Sequence, residues 1–392
     1  MFQSSTSLPH LLAPAAYCDP IHFANESSSM LHSAWHLVGT TEQLKKPGDF
    51  LTATILGEEI QVRRFEDQIR ALSNICAHRH CVLTDKAMGH SKTMRCQYHG
   101  WEYGSDGLTR KIPCAKDFAP LNRSQLQLPA FRVDLAGQLI FICLDSNAPS
   151  LHDFLGPIAS FVNARFSEDW RQFYNDRFVY DANWKIAIEN SLEAYHIESI
   201  HPQTFRNAPG ENRSEHQLGE QHTAFITDMP FAAHHFSDKV FQHCEAWVIR
   251  RLGGKPMSKY QQHHVFPNLL FSFTDSISLV HCVHPKTSTQ SQSLLFQFGI
   301  SPERSNFIQR YLSKYFGKLQ SFILKQIMKE DVRLYPNIQR GLQASPHRGT
   351  LARSEERIHS FQAFMIKSMS DGKARPDKLQ PTYSQVPKEN ES

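Results

Sequence analysis

Two stretches of this 392-residue chain carry side chains able to hold metal. The first sets Cys76-Ala77-His78 against Cys96-Gln97-Tyr98-His99, with 17 residues between His78 and Cys96. Two thiolates and two imidazoles arriving in pairs from two loops form a metal-site pattern. Two occupants fit it by composition: a tetrahedral zinc, or a [2Fe–2S] cluster with two Cys on one iron and two His on the other. A zinc finger groups its histidines on a helix, whereas here each His stands beside its own Cys.

The second stretch is Asn183 to His201, NWKIAIENSLEAYHIESIH. Ile186, Leu192 and Ile197 follow a helical period interrupted by polar residues. Glu189, Asn190, Glu193, His196 and His201 are costly to bury without partners, and either hydrogen bonds or a metal would supply them. Glu193 and His196 are three apart and share a helix face. His196 and His201 are five apart, about 140° round a regular helix. Both reach one metal only if the helix breaks or bulges, and Pro202 marks a helix end nearby.

The flanks of the first site, CAHRH and CQYHGWEYG, closely resemble the two cluster loops of Rieske proteins. The second stretch, NWK…EN…E-x-Y-H-x4-H-P, resembles the iron helix of Rieske non-haem iron oxygenases, and the resemblance to their catalytic α subunit covers nearly the whole chain. It implies an α+β fold: an antiparallel β Rieske domain, then a helix-grip (Bet v 1-like) catalytic domain with an antiparallel sheet wrapped round helices. It implies Cys76, His78, Cys96 and His99 as cluster ligands, His196 and His201 on a mononuclear Fe(II), O2 as co-substrate, and Glu193, Asn190 and Tyr195 as the catalytic motif residues. The chain departs from the family at His80 and Cys81, where a small residue is common. Cys81 is wrongly spaced from His78 for a ligand, and Cys114 is too far from either loop.

Fe(II) oxygenases commonly add one carboxylate to two histidines, leaving positions open for O2 and substrate. Glu330 and Asp331 compete for that place. Ile323, Ile327, Leu334 and Ile338 stand at helical spacing from Asp331, whereas Glu330 falls with Gln326, Arg333 and Asn337 on a polar face. Both this face and the resemblance indicate Asp331. Glu193, one turn behind His196, is placed to accept its second imidazole N–H. In the family this carboxylate also bonds a cluster histidine of a neighbouring subunit, here His99. The resemblance therefore implies a homotrimer with electrons passing from His99 through Glu193 to His196.

Around these residues we expect an N-terminal arm (1–29), the Rieske domain (30–148), the catalytic domain (149–370) and a disordered tail (371–392). WHLVGT, FLTATILG, EEIQVRRF, IRALSNIC and GQLIFICLD read as short strands, and Ser105-Asp106-Gly107 as a turn. LHDFLGPIASFVNARF reads as a helix. HTAFITD, EAWVIRRL, HHVFPNLLFSFTD, ISLVHCVHP and SLLFQFGI read as strands. Residues 204–222 read as a long loop, and 303–343 as a long helix kinked at Pro336.

A net charge of +4 is too small for general nucleic-acid binding. No apolar run approaches the ~20 residues that span a bilayer. The N-terminus has no basic n-region, and eight dispersed cysteines read as free thiols or ligands, so we expect a cytoplasmic protein. No dinucleotide or phosphate loop is present. NAD(P)H would thus act only through a separate reductase or ferredoxin; Arg79, Lys86, Lys92, Arg95, Arg110 and Lys111 flank the cluster loops and could dock an acidic donor or be ordinary solvated surface charge. The motif ENSLEAYHIESIHPQTF is closest in texture to monooxygenases of quaternary amines such as carnitine, choline or betaine, and also resembles some single-ring aromatic monooxygenases. Hydroxylation or demethylation of a small organic molecule is the first expectation. An aromatic-ring dioxygenase is the second, and a Rieske electron carrier or binding protein the third. Phe266, Phe271 and Phe273 could form an apolar pocket or cation cage, or belong to the core.

Overall fold

The computed structural model describes residues 2–66, 68–202, 204, 213–228, 236–252, 256, 259–301 and 306–371. Two seven-stranded antiparallel sheets organise them. In the first sheet, Trp35–Thr40 pairs with Leu139–Cys143, followed in order by Ala130–Ala136, Gln68–Ser73, Glu58–Phe65, Asp49–Ile55 and Met88–His90. Leu139–Cys143 is buried along its whole length, as its unbroken apolar run predicts. A three-stranded sheet of Met94–Arg95, Glu102–Tyr103 and Thr109–Lys111 carries the second Cys/His loop.

In the second sheet the order is Trp170–Tyr180, Gln290–Ile300, Ile277–Thr287, Leu269–Phe273, Lys259–Val265, His222–Asp228 and Ser214–Leu218. The helices are α1 (Pro20–Glu26), α2 (Leu151–Leu155), α3 (Ala159–Arg165), α4 (Trp184–Ser191), α5 (Ile197–Ile200), α6 (Phe236–Arg251), α7 (Phe307–Val332), α8 (Tyr335–Ala344) and α9 (Glu356–Asp371). The long α7 lies against Trp170–Tyr180 and Gln290–Ile300. None of the described helices is long and apolar enough to cross a membrane.

Several expectations are corrected. EAWVIRRL belongs to α6, not to a strand: Val248, Ile249 and Leu252 are buried while Trp247 is about half exposed, a helical rather than a two-residue period. Part of the expected 204–222 loop is the strand Ser214–Leu218. Its sequence is polar because it is a sheet edge, with Ser214 and His216 inward and Glu215 and Gln217 outward. Residues 205–212 of that loop and 372–392 of the expected tail lie outside the described residues. The 151–166 helix is interrupted at Gly156-Pro157, and the expected 303–343 helix is two, α7 and α8, with Pro336 in the first turn of α8. The stripe that continued Asp331 through Leu334 to Ile338 therefore ends at the break, and Ile338 is 42% exposed.

Residues 2–31 pack on the second half of the chain. Glu26 of α1 meets Lys185 of α4 at 2.6 Å, with both side chains essentially unexposed, and also accepts the Trp184 indole N–H at 2.9 Å. Leu8–Pro9 pairs with Thr350–Leu351. Glu356 of α9 accepts the backbone N–H groups of Gln3 (2.9 Å) and Ser4 (2.8 Å).

Candidate metal centres and cavity

The Asn183–His201 stretch is two helices joined by a turn. Asn183 caps α4 by accepting from the Lys185 N–H, and α4 ends at Ser191. Glu193 then turns the chain: its carboxylate accepts from the backbone N–H groups of Tyr195 and His196. His196 and His201 bracket the one-turn α5 as its N-cap and C-cap. The break places both rings on one side, 5.3 Å apart between centroids.

Asp331, at the end of α7, completes the group. Its Oδ1 lies 3.0 Å from His201 Nε2 and 3.6 Å from His196 Nε2, and ligand atoms of the three residues fall within 4.8 Å of one another. Carboxylates engage the far ring nitrogens. Glu193 is bonded to His196 Nδ1, and Glu330 Oε2 lies 2.7 Å from His201 Nδ1 while also accepting the Thr204 hydroxyl at 2.7 Å. Glu330 thus faces this centre, not a separate polar face as periodicity predicted. Sequence reasoning missed its role because it weighed two adjacent carboxylates as rivals. Asp331 Oδ1 is buried and makes no hydrogen bond of sound geometry, an orphan acceptor that a cation would satisfy.

The group sits in the wall of a cavity of about 550 Å³. Residues two apart on neighbouring strands face it, Leu279 with His281 and Leu295 with Gln297, while Ile323 and Ile327 of α7 close another side. The same alternation turns Phe271 and Phe273 to the opposite face, into the core with Phe166, and Phe266 packs in a second core. None of the three lines the cavity, so the expected aromatic cage is not built from them. The aromatic lining comes instead from Phe2, Phe225, Tyr260 and Tyr195, the last 76% exposed. Asn190 also lines the cavity and is paired with the buried Tyr335 hydroxyl.

The two Cys/His loops are built alike. In each, the residue four after the cysteine returns its N–H to the cysteine carbonyl: His80 to Cys76 at 3.0 Å and Gly100 to Cys96 at 3.1 Å. Both take left-handed backbone, φ 56° at His80 and 73° at Gly100, which explains why a small residue suits the position where this chain has His. The His78 and His99 ring centroids lie 4.7 Å apart, and His78 stacks on Trp101 at 4.8 Å. Tyr103, also missed in the sequence, accepts the Ala77 N–H at 3.0 Å and lies 3.1 Å from Cys76 Sγ. Nδ1 of His78 is buried without a hydrogen-bond partner. Cys81 is half-buried beside Cys96, and Cys114 is exposed.

Residues 34–132 match the family described as Rieske [2Fe-2S] domain, and residues 167–371 match the ring hydroxylating alpha subunit (catalytic domain). The chain belongs to the ring-hydroxylating α-subunit family. Membership implies a Rieske cluster in one part, and mononuclear iron with O2 as co-substrate in the other. The chain is 30% identical over 239 residues to the glycine betaine monooxygenase oxygenase subunit of Pseudomonas aeruginosa, covering 60% of this chain and 52% of that protein. It is 32% identical over 213 residues to the large oxygenase component of a naphthalene 1,2-dioxygenase system of Pseudomonas putida, covering 52% and 46%. The chain thus spans about half the length of the curated relatives it matches. Its fold is that of the quaternary ammonium Rieske monooxygenase CntA, with a TM-score of 0.73 at 20% identity over 93% of this chain and 95% of that one. Naphthalene 1,2-dioxygenase from Rhodococcus sp. gives 0.72 at 20% identity over 93% and 94%.

Proposed function

We propose that this chain is a terminal oxygenase component, which takes electrons from a separate reductase or ferredoxin and hydroxylates or oxidatively demethylates a small organic substrate. One observation carries the reading: His196 Nε2, His201 Nε2 and Asp331 Oδ1 converge on a cavity large enough for a small ligand, with both Nδ1 atoms already engaged. The orphan Asp331 Oδ1 fits a divalent iron there, as the orphan His78 Nδ1 beside two cysteines fits a [2Fe–2S] cluster. When bound, the cluster supplies single electrons and the iron activates O2.

The chain's own residues prepare both sites. Glu193 and Glu330 hold the Nδ1 protons, so each Nε2 lone pair faces the metal position. Leu279, Leu295, Ile323 and Ile327 keep the reacting end of the cavity apolar. We assign substrate contact to Asn190 and Tyr195. Glu193 lies one hydrogen bond from His196, and His99 is exposed, so we propose a homotrimer in which His99 of one chain meets Glu193 of the next. Arg79, Lys86, Lys92, Arg95, Arg110 and Lys111 are all exposed and form the proposed donor-docking face of a cytoplasmic system. We divide the chain near residue 148 into cluster-binding and catalytic domains.

Quaternary amines lead as substrates, given the motif and the glycine betaine monooxygenase relative. Aromatic hydrocarbons are the second reading, favoured by the aliphatic wall of the cavity. The test is O2 uptake by the iron-loaded protein with NADH, a generic reductase, and a panel of quaternary amines and aromatic compounds. Asp331→Ala should abolish uptake and empty one iron site while leaving the cluster spectrum unchanged. A single iron population in the wild type, or full activity of Asp331→Ala, refutes the reading.

A further inference from the structure

Arg357 of α9 borders the cavity and is 1% exposed. Its guanidinium is anchored on two sides. Nε donates to Thr223 Oγ1 at 3.3 Å, and Nη1 donates to Gln262 Oε1 at 2.7 Å and to the Leu192 carbonyl at 3.4 Å. Nη2 is buried and has no hydrogen-bond partner among the described residues. All three partners are neutral, and no described carboxylate forms an ion pair with Arg357.

The nearest acid in sequence is committed elsewhere. Glu356 accepts from Gln3 N, Ser4 N and His216 Nδ1, all within 3.0 Å. Glu245, which also lines the cavity, is bonded to Ser276 at 2.6 Å. The histidines that feel Arg357 are held neutral chiefly by burial, His216 and His222 at about 4, His263 at about 3 and His264 well below its ordinary value. Tyr260 offers no charge either: burial raises its pKa, so it stays a phenol at neutral pH.

A buried cation with no counter-ion is disfavoured, and a guanidinium does not escape by losing its proton as a lysine can. A ligand carboxylate removes that cost, because its oxygens match the planar donors of a guanidinium. We propose that Arg357 is the anion-recognising residue of this cavity and that the substrate is a small organic carboxylate, its reacting carbon directed to the His196/His201/Asp331 centre. The proposal rests on the oxygenase reading for the role of the cavity, and narrows it: among quaternary amines it selects those that carry a carboxylate.

The test compares two probe pairs on the iron-loaded protein, glycine betaine with choline and benzoate with benzamide. Thermal shift reads binding and O2 uptake reads turnover. At least one carboxylate should raise Tm at concentrations where its neutral or cationic counterpart does not. R357Q, shown to be folded by circular dichroism, should lose that preference with about tenfold or greater weakening of carboxylate binding. Should R357Q not fold, R357M takes its place. R357K, which keeps the cation, should still prefer the carboxylate. No carboxylate preference in the wild type, or an unchanged preference in the folded neutral variant, overturns the assignment. Carboxylate binding that depends on Arg357 but never elicits O2 uptake leaves the assignment standing and refutes the oxygenase reading instead.

Discussion

Glu330 and Asp331 are consecutive residues, yet they stand at opposite nitrogens of the same imidazole, Glu330 bonded to one and Asp331 only close to the other. Glu330 Oε2 meets His201 Nδ1 at 2.7 Å and Asp331 Oδ1 meets His201 Nε2 at 3.0 Å. The end of α7 sets both contacts, so the orientation of His201 depends on that helix as much as on its own.

Glu330→Gln should leave the fold and cluster intact and weaken iron binding at the second centre, about ten- to hundredfold as for other partners of a ligating histidine. The amide would still engage Thr204 but would hold His201 without charge. Competition with a graded chelator, read as iron per chain, checks this. Unchanged affinity would mean that His201 is oriented by Asp331 and its buried surroundings alone.

Glu193→Gln should fold and load both metals but slow electron transfer between the proposed sites. One amide oxygen can still accept from the backbone N–H groups of Tyr195 and His196 that shape the turn. The charged link to His196 Nδ1 is what the change removes. Single-turnover mixing of reduced protein with O2 and substrate should show slow cluster reoxidation, and a wild-type rate would sink the inter-subunit route. Size-exclusion chromatography with light scattering should find a trimer of both proteins.

Tyr103→Phe should lower the reduction potential of the cluster while keeping its Rieske spectrum. The Tyr103 hydroxyl lies 3.1 Å from Cys76 Sγ, and a hydrogen bond to sulfur favours the more electron-rich reduced state. Losing about 1 kcal/mol of that preference corresponds to roughly 40 mV for a one-electron couple. Protein-film voltammetry measures the shift, and a potential equal to or above that of the wild type contradicts the geometry.

Acid should destabilise the protein well before its carboxylates titrate. His36 is fully buried, bonds the Leu31 carbonyl at 2.8 Å, and is held at about 4 by burial. His263 is held at about 3, chiefly by burial. Both are bases with depressed folded values, so the unfolded chain binds more protons between their folded values and the ordinary 6.5. The stability they contribute is fully present above about pH 6.5 and is lost as pH falls toward 4. His36 alone should account for about 3 kcal/mol. Urea midpoints should fall across that range, and His36→Gln should flatten the fall; an equal slope in the variant refutes it.

Much of the candidate cluster site was legible because each cysteine brings its histidine along the chain, and the loop flanks carry a recognisable pattern. The three residues that converge at the second candidate centre were also named from sequence. Their geometry was not, because a turn built by Glu193 side-chain-to-backbone bonds breaks the helical period that would have related His196 to His201. The cavity lining was hidden for a different reason. Strands such as Gln290–Ile300 are buried on both faces, so no alternation marks which residues look inward. That is how Phe271 and Phe273 were candidates although they face the core. The edge strand Ser214–Leu218 was read as loop because polar residues serve both an edge and a turn.

The Glu26–Lys185 pair bears on how this chain can be divided. The matched catalytic region begins at residue 167, and Glu26 lies outside it. A fragment cut at that point would keep Lys185 in its buried place without the carboxylate that bonds it, and the Trp184 indole without the acceptor it has here. Removing one partner of a buried ion pair costs about 3–5 kcal/mol, a large part of the 5–15 kcal/mol that holds an ordinary domain folded. The start of the matched catalytic region is therefore not a boundary of folding. The second metal centre should assemble only in a polypeptide that still carries α1.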